Sequence, residues 1–179
     1  MKLKTIVLLV APSCSGKSRF AKKIKEAAES EFLSCAILSS DEIRRELLCD
    51  SGMHKMHAKM MSVSNEAFTL LNQRLDYHTR YPINTDVVVV DTTGPSEEFR
   101  NSILAIADKN HYKIVLYGFD FTFSVLEKFI ESGQGDRFVS SKHHKKFREE
   151  VLPKLNRKAY SEVKIFKSPE EVDKYQIEF

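Results

Sequence analysis

Eight residues near the amino end have the types and spacing of a phosphate-binding loop. Residues 11–18 read APSCSGKS and match the pattern GxxxxGK(S/T) at every fixed position except the first, where Ala11 replaces glycine. An apolar run precedes them and a helical pattern follows, which is the context that such a loop requires. Backbone N–H groups and a helix amino terminus bind phosphate there, and a lysine reaches the β- and γ-phosphates. We therefore predict that ATP is bound by Ser13, Cys14, Ser15, Gly16, Lys17 and Ser18.

Two aspartates follow apolar runs that we predict to be strands. Asp41 comes after the second run, in the sequence SSD, and Asp91 ends the third. Ligands of an open parallel sheet lie beyond the carboxyl ends of its strands, so both side chains should lie near the phosphate loop. We predict that Ser18 and Asp91 hold Mg²⁺ or its water ligands. The alternative for Asp91 is a structural one, in which its carboxylate accepts hydrogen bonds from turn N–H groups.

Asp41 and Arg44 are candidates for handling the phosphate acceptor. A carboxylate at Asp41 can accept the proton of an attacking hydroxyl group. Arg44 is three residues further on, on the same helix face, where a guanidinium can hold a phosphate of the acceptor. Asp41 could instead cap the short helix that follows, and both roles are compatible.

Apolar runs bounded by turn residues are the candidate strands. Residues 87–90 read VVVV, and a run without alternation is typical of a parallel strand that is covered on both faces. The other runs lie at residues 5–10, 33–38, 113–119 and 163–166. Because helical patterns separate these runs, the sequence predicts one three-layer α/β domain with a five-stranded parallel sheet over residues 1–179.

Four segments between the runs have helical spacing, at residues 18–30, 42–48, 54–78 and 96–109. We expect Ser40 or Asp41 to cap the second and Ser96 to cap the fourth. The third segment has an apolar stripe at three- and four-residue steps, which we interpret as core packing. The stripe consists of Met56, Met60, Val63, Ala67, Leu70 and Leu71.

Composition is that of a soluble globular protein. The chain has 179 residues, of which 42% are hydrophobic and 30% charged, and its formal charge of +3 is compatible with a polyanionic substrate without requiring one. The apolar run at residues 5–11 is short for a secretory signal, and no run approaches the ~20 residues that span a bilayer. Three cysteines without a pairing pattern suit a reducing compartment. We expect a cytoplasmic protein without a membrane segment.

Two histidine-containing features have alternative interpretations. The basic cluster at residues 142–148 could guide nucleic acid phosphates to the site, or it could be a solvated helix face. His54 and His57 are three residues apart, as a metal pair on a helix could be. No third ligand stands at a suitable spacing, so we interpret them as surface residues and predict no zinc site.

Four stretches of the chain together resemble the kinase domain of polynucleotide 5′-hydroxyl kinases and related small P-loop kinases. They are APSCSGKS, SSDEIRREL, VVVVDTTGPSEEFR and GDRFVSSKHHKKF, which follow the order and spacing of that family over nearly the whole chain. The resemblance implies an adenylate-kinase-like P-loop fold with a helical lid near residues 127–150. In that family the aspartate of the SSDxxR signature is the general base and its arginine contacts the 3′-phosphate of the substrate. These roles would fall to Asp41 and Arg44.

The resemblance also implies that the lid supplies arginine to the transferring phosphate. Arg137 of GDRFV matches that lid position, where a cation would bind ATP and neutralise charge in the transition state. Family lids often carry another arginine one turn earlier, where this chain has Gly133. Arg100 also matches a family position, but it could make only a structural ion pair, and we leave it out of the catalytic set.

The sequence thus predicts an ATP- and Mg²⁺-dependent kinase in which Lys17, Asp41 and Arg137 act on the transferred phosphate. The 5′-OH of a polynucleotide is the preferred acceptor. A small molecule or a hydroxymethylated base in DNA is the alternative, and a nucleotide-binding module without catalysis is a further one. DNA against RNA, ATP against GTP, and the oligomeric state stay open.

Overall fold

A central parallel sheet organises the chain. The computed structural model describes residues 4–49, 57–93 and 96–179, without the side chains of residues 57–59 and 133–134. Its five strands lie in the order β2-β3-β1-β4-β5, and all neighbours are parallel. The strands are β1 (Thr5–Val10), β2 (Cys35–Ser39), β3 (Val87–Thr92), β4 (Lys113–Phe119) and β5 (Glu162–Phe166). This confirms the predicted three-layer α/β fold with a five-stranded parallel sheet.

Helices connect the strands and cover both faces of the sheet. The α-helices are α1 (Lys17–Ser30), α2 (Ser40–Leu47), α3 (His57–Ser62), α4 (Ser64–Thr79), α5 (Glu97–Asn110), α6 (Phe123–Phe129), α7 (Arg137–Lys146) and α8 (Pro169–Lys174). π-Helical segments follow α6 at Ile130–Gln134 and α7 at Phe147–Val151, and a 3₁₀ turn spans Arg157–Ala159. None of the helices within the described ranges has both the length and the apolar character needed to cross a membrane.

Alternate residues of the central strands enter two separate hydrophobic clusters. Ile6 and Leu8 of β1 pack with residues of α4 and α5, such as Leu71 and Ile103, on one face. On the other face, the next residues along β1 pack with α1 and α6 in a cluster that includes Val7, Leu9, Phe20, Ile24 and Leu126. The VVVV run divides in the same way, which confirms that this strand is buried on both faces.

The long helix predicted for residues 54–78 is wrong in its continuity. The structure contains α3 and α4, with Val63 between them in a non-helical conformation. Ser62, Val63 and Ser64 are weak helix formers, and the Ser64 hydroxyl accepts a hydrogen bond from Arg44 of α2 at 3.2 Å. That tertiary contact fixes the start of α4. The predicted start of the segment, with His54 and Met56, lies outside the described residues.

The remaining apolar residues of that segment are not equally buried. Ala67 and Leu71 are fully buried and Leu70 packs partly against them, as predicted. Met60 and Val63 are half-buried. The core-packing interpretation therefore holds for α4.

The cap of α2 is Ser39, and not Ser40 or Asp41 as predicted. Ser39 has an extended backbone, and its Oγ accepts a hydrogen bond from the Glu42 N–H. The helix begins immediately after β2, so Asp41 lies within its first turn. The prediction for α5 is confirmed, because Ser96 Oγ accepts from the Phe99 N–H at 3.1 Å.

Candidate active site

The phosphate loop joins β1 to α1 and has an internally bonded backbone. Cys14 and Gly16 adopt left-handed conformations, with φ of 61° and 83°. Ser15 Oγ and Lys17 Nζ both donate to the carbonyl oxygen of Pro12, at 2.8 Å and 2.7 Å. These contacts curl the loop around the amino end of α1, where free N–H groups and the helix dipole favour an anion.

Ala11 replaces the first glycine of the motif without disturbing this loop. It is fully buried in the cluster that includes Phe20 of α1. The left-handed loop residues are Cys14 and Gly16, so position 11 does not need the conformational freedom of glycine. Its methyl group extends the core of β1.

Lys17 is the cationic centre of the site. Burial lowers the pKa of Lys17 from its usual value, while the negative charges of Asp91 and Asp41 act in the opposite direction. Both aspartates are therefore close enough to influence the ammonium group. This confirms the geometric premise of the sequence prediction, since the ends of β1, β2 and β3 bring the loop and the two carboxylates to one edge of the sheet.

Ser18 and Asp91 form a pair of oxygen ligands beside the loop. Ser18 Oγ donates to Asp91 Oδ2 at 2.6 Å, and the Asp91 side chain is buried. Hydroxyl and carboxylate oxygens are the donors that Mg²⁺ accepts in proteins, often through its waters. The residues present therefore fit the predicted metal, with Ser18 and Asp91 as the residues that would hold it.

Asp41 and Arg44 are paired on α2. The Asp41 carboxylate accepts a hydrogen bond from Arg44 Nη1, and its side chain is 68% exposed at the edge of the site. Arg44 is buried, and its Nε donates a hydrogen bond to Ser64 Oγ. Its Nη1 lies 3.5 Å from Ser40 Oγ, and its guanidinium carbon lies 5.4 Å from the ring centre of Phe68. Arg44 therefore holds the exposed carboxylate of Asp41, which does not cap the helix.

The lid follows β4 and contains α6, α7 and their π-helical extensions. Asp136 caps α7 by accepting from the Val139 N–H at 2.9 Å. Arg137, at the first turn of α7, is exposed and forms an ion pair with Glu127 of α6. The structure therefore places Arg137 on the lid as the resemblance implied, but pairs it within the lid instead of with the phosphate loop.

Lid and phosphate loop touch at residues that the sequence interpretation did not connect. Ser13 Oγ lies 2.6 Å from His143 Nδ1, and Cys14 Sγ lies 3.3 Å from Ser140 Oγ. Gly135 packs so closely on the loop that a Cβ there would lie 2.2 Å from Cys14 Sγ. The signal was present in part, because Ser140 and His143 are three residues apart and so share a helix face.

The carboxyl end of the lid is anchored to the sheet by a buried carboxylate. Asp120 follows β4 and accepts hydrogen bonds from Arg148 Nε at 2.7 Å and from Lys167, which follows β5. Burial by itself would raise the pKa of Asp120, but these two cations outweigh it and lower the pKa below its usual value. His144 adds a contact from Nε2 to the Phe121 carbonyl at 3.0 Å.

The basic cluster of residues 142–148 divides between two faces of the lid. His143 and His144 face the protein, and Phe147 is buried in the core. Lys142, Lys145 and Lys146 are exposed, as is Phe138, whose side chain is 79% accessible. The lysines thus form a solvated helix face, as one interpretation expected, whereas the histidines contact the protein. Guidance of nucleic acid by this cluster stays a prediction.

Arg100 is a core residue in this structure. It is buried on α5 beside Tyr160. Burial raises the pKa of Tyr160, against the opposing effect of the Arg100 guanidinium, which also hydrogen-bonds to it. This agrees with the structural interpretation of Arg100.

The sheet order, the loop geometry and the lid together define the class of fold. A phosphate loop between the central strand and its helix, with carboxylates at the ends of two neighbouring strands and a helical lid, is the fold of the small P-loop kinases. A family model described as an AAA domain matches residues 6–159. The chain belongs to this AAA domain family.

Solved structures share the fold at low sequence identity. A proposed kinase from Chloroflexus aurantiacus has a TM-score of 0.67 and 12% identity, covering 99% of this chain and 91% of its own. Shikimate kinase from Acinetobacter baumannii, solved with shikimate, has a TM-score of 0.60 and 14% identity, covering 96% and 88%. APS kinase from Mycobacterium tuberculosis, in complex with AMPPNP and APS, has a TM-score of 0.56 and 14% identity, covering 97% and 95%. A comparison with curated protein sequences found no match.

Proposed function

We propose that this protein is a kinase that transfers the γ-phosphate of ATP to a hydroxyl group, with Asp41 as the general base. The observation that carries the proposal is the convergence of three charged groups. The carboxylates of Asp41 and Asp91 both attract the Lys17 ammonium group, and Asp91 accepts a hydrogen bond from Ser18 beside the same loop. A cation for phosphate, an oxygen pair for Mg²⁺ and an exposed carboxylate are the groups that in-line phosphoryl transfer uses.

Each group has one task in this mechanism. The loop residues 13–18 bind the ATP phosphates through their N–H groups, and Lys17 pairs with the β- and γ-phosphates. Asp41 accepts the proton of the attacking hydroxyl while Arg44 keeps the carboxylate oriented. Arg137 leaves its ion pair with Glu127 and binds the transferring phosphate, where it neutralises negative charge. Mg²⁺ at Ser18 and Asp91 would stabilise the charge on the phosphate oxygens.

For the acceptor, we propose the 5′-OH end of a polynucleotide. The support is the SSDEIR sequence around Asp41 and Arg44, together with the exposed lysines of α7 and the neighbouring Phe138. Lysines provide the sequence-independent attraction to phosphates, and an exposed aromatic ring can stack on an unpaired base. Exposed Arg137 extends the positive face.

A small-molecule acceptor is the second candidate, and two observations favour it. Structures with the same fold include a shikimate kinase in complex with shikimate and an APS kinase in complex with AMPPNP and APS. In addition, Arg44 is buried and already bonded to Asp41 and Ser64. In this arrangement Arg44 acts on the acceptor through Asp41, and not through the contact with a 3′-phosphate that a polynucleotide would offer. A hydroxymethylated base in DNA belongs to the same alternative, since it requires a pocket for one hydroxyl.

The test is end labelling with γ-labelled ATP, Mg²⁺ and a 5′-OH oligonucleotide. We expect label at the 5′ end, and a loss of about 10²-fold or more in the Asp41→Asn variant because the amide cannot accept the proton. Asp108→Asn, the same substitution at an exposed position of α5, is the matched control. ATP turnover without end labelling would instead favour a small molecule or a modified base as the acceptor. ATP binding without any transfer would leave a nucleotide-binding module.

A further inference from the structure

Three lid residues contact two consecutive residues of the phosphate loop. His143 lies at hydrogen-bond distance from Ser13, while Ser140 and Gly135 both contact Cys14. Ser140 is 1% exposed, so this contact excludes solvent from the side of the loop that faces the lid. Ser13 and His143 are 130 residues apart in sequence, so the contact joins two distant segments of the chain.

The contact involves the part of the loop that must wrap a phosphate. Ser13 and Cys14 precede the Gly16–Lys17 turn, and Cys14 has the left-handed φ of 61° that aims successive N–H groups into the concave side of the loop. A hydrogen bond to Ser13 from outside therefore affects both the conformation of the loop and the closure of the lid above it.

We propose that His143 is a positioning residue that latches the lid to the phosphate loop through Ser13. The latch favours the closed lid, which is the state that surrounds the nucleotide. When the binding-competent state is only partly populated, the apparent dissociation constant equals the intrinsic one divided by the populated fraction. Removing one hydrogen bond of ordinary strength should therefore shift lid opening about fivefold. The proposal rests on ATP binding at this loop, as proposed above.

Cys14 provides a readout of the lid that needs no catalytic activity. Its sulfur lies beneath Gly135 and Ser140, so an alkylating reagent reaches it when the lid opens. The assay uses Cys49→Ser protein, because Cys49 is exposed. Burial raises the pKa of Cys35 to about 11, so that thiol is a slow competitor near pH 8. Mass spectrometry of the Cys14 peptide with iodoacetamide gives the rate.

His143→Ala should accelerate Cys14 alkylation, which follows the open fraction of the lid, and raise the KM for ATP, which follows the closed fraction. The two factors should multiply to about five, with a smaller change in kcat. Ser141→Ala, which removes an exposed hydroxyl group from the same helix, should leave both values unchanged. Ser13→Ala should accelerate alkylation as His143→Ala does, and the double variant should be no faster than either, because both remove the same bond.

The outcomes separate the latch from the proposed activity. If Cys14 is alkylated at the same rate in His143→Ala and Ser141→Ala, or if the effects of Ser13→Ala and His143→Ala add in full, the latch is wrong. If alkylation accelerates as expected but MgATP does not slow it in either protein, the latch stands and nucleotide binding is overturned. Protection by MgATP, weaker in His143→Ala than in the parent, supports both. Thermal melting of each variant verifies that it is folded.

Discussion

The hydroxyl of Ser18 donates to Oδ2 of Asp91 across 2.6 Å, which connects the first turn of α1 to the end of β3. Ser18 is exposed and Asp91 is buried, so the pair presents oxygen atoms from the core toward the phosphate loop. A buried carboxylate held by a hydroxyl is well placed to orient a hydrated cation.

Asp91→Asn should weaken the binding of Mg²⁺ at this position. The amide keeps the shape of the side chain but loses the charge, so the Mg²⁺ concentration for half-maximal activity should rise at least about tenfold. The measurement is a Mg²⁺ titration of the initial rate at saturating ATP. Asp108→Asn is the control for the change in net charge, and an unchanged Mg²⁺ titration for Asp91→Asn would remove Asp91 from the metal site.

Lys17→Met should abolish ATP binding while it raises the stability of the protein without ligand. Part of the Lys17 side chain is accessible, but its ammonium group is surrounded by protein, and burial lowers its pKa. A lowered folded-state pKa means that the unfolded chain holds the proton more tightly, so the charge reduces the free energy of unfolding at neutral pH. We expect a gain of about 1 kcal/mol, or about 3 °C in Tm at pH 7.

Because the pKa of Lys17 is lowered, the difference in Tm between Lys17→Met and the parent protein should depend on pH. As the pH rises through the lowered pKa of Lys17 toward 10.5, the penalty disappears and the two proteins should converge. Lys22→Met, on the exposed face of α1, should not change Tm. A lower Tm for Lys17→Met would show that attraction to Asp91 and Asp41 exceeds the cost of burial.

Asp120→Asn should destabilise the protein at neutral pH and lose this effect in acid. Arg148 and Lys167 lower the pKa of Asp120 below its usual 3.8, so the group contributes stability above that value and loses it as pH falls through the lowered folded-state pKa. Because both cations are partly exposed, water can replace the carboxylate, and we expect a cost of about 2 kcal/mol at pH 7. Urea unfolding at pH 7 and pH 3 measures the difference, and an equal cost at both values would contradict the assignment.

Gly135→Ala should open the lid, and Cys14→Ala should restore its closure. A Cβ at position 135 would lie 2.2 Å from Cys14 Sγ but 4.0 Å from Cys14 Cβ, so removing the sulfur removes the clash. We expect the KM for ATP to rise about tenfold in Gly135→Ala and to return to the value of Cys14→Ala in the double variant. Failure of the double variant to recover would mean that residue 135 acts through its backbone.

Arg137→Ala should lower kcat by about 10² to 10³ with a smaller effect on the KM for ATP, because a cation that binds developing charge acts in the transition state. Glu127→Gln releases Arg137 from its ion pair and should not lower kcat. Pre-steady-state measurement of phosphoryl transfer distinguishes this from slow product release. Equal losses in both variants would indicate that the ion pair itself supports the lid.

Much of the fold was determined by local patterns in the sequence. The VVVV run and residues 5–10 became buried parallel strands because their apolar residues do not alternate, so both faces had to be covered. Loop length and the GKS sequence fixed the phosphate site, since left-handed Gly16 and the helix amino terminus are local features. The positions of Asp41 and Asp91 followed from strand order, because parallel strands end at one edge of the sheet.

What tertiary structure decided was how side chains pair across long sequence distances. The break at Val63 depends on Arg44 reaching Ser64, and the capping of α2 by Ser39 released Asp41 to pair with Arg44. In the sequence His143 is one residue of a basic run, and the packing of α7 against the phosphate loop places it beside Ser13. Periodicity records which residues share an element or a face, but a pairing between distant elements is set by how those elements pack. The phosphate loop could therefore be predicted from the sequence, and its contacts with the lid could not.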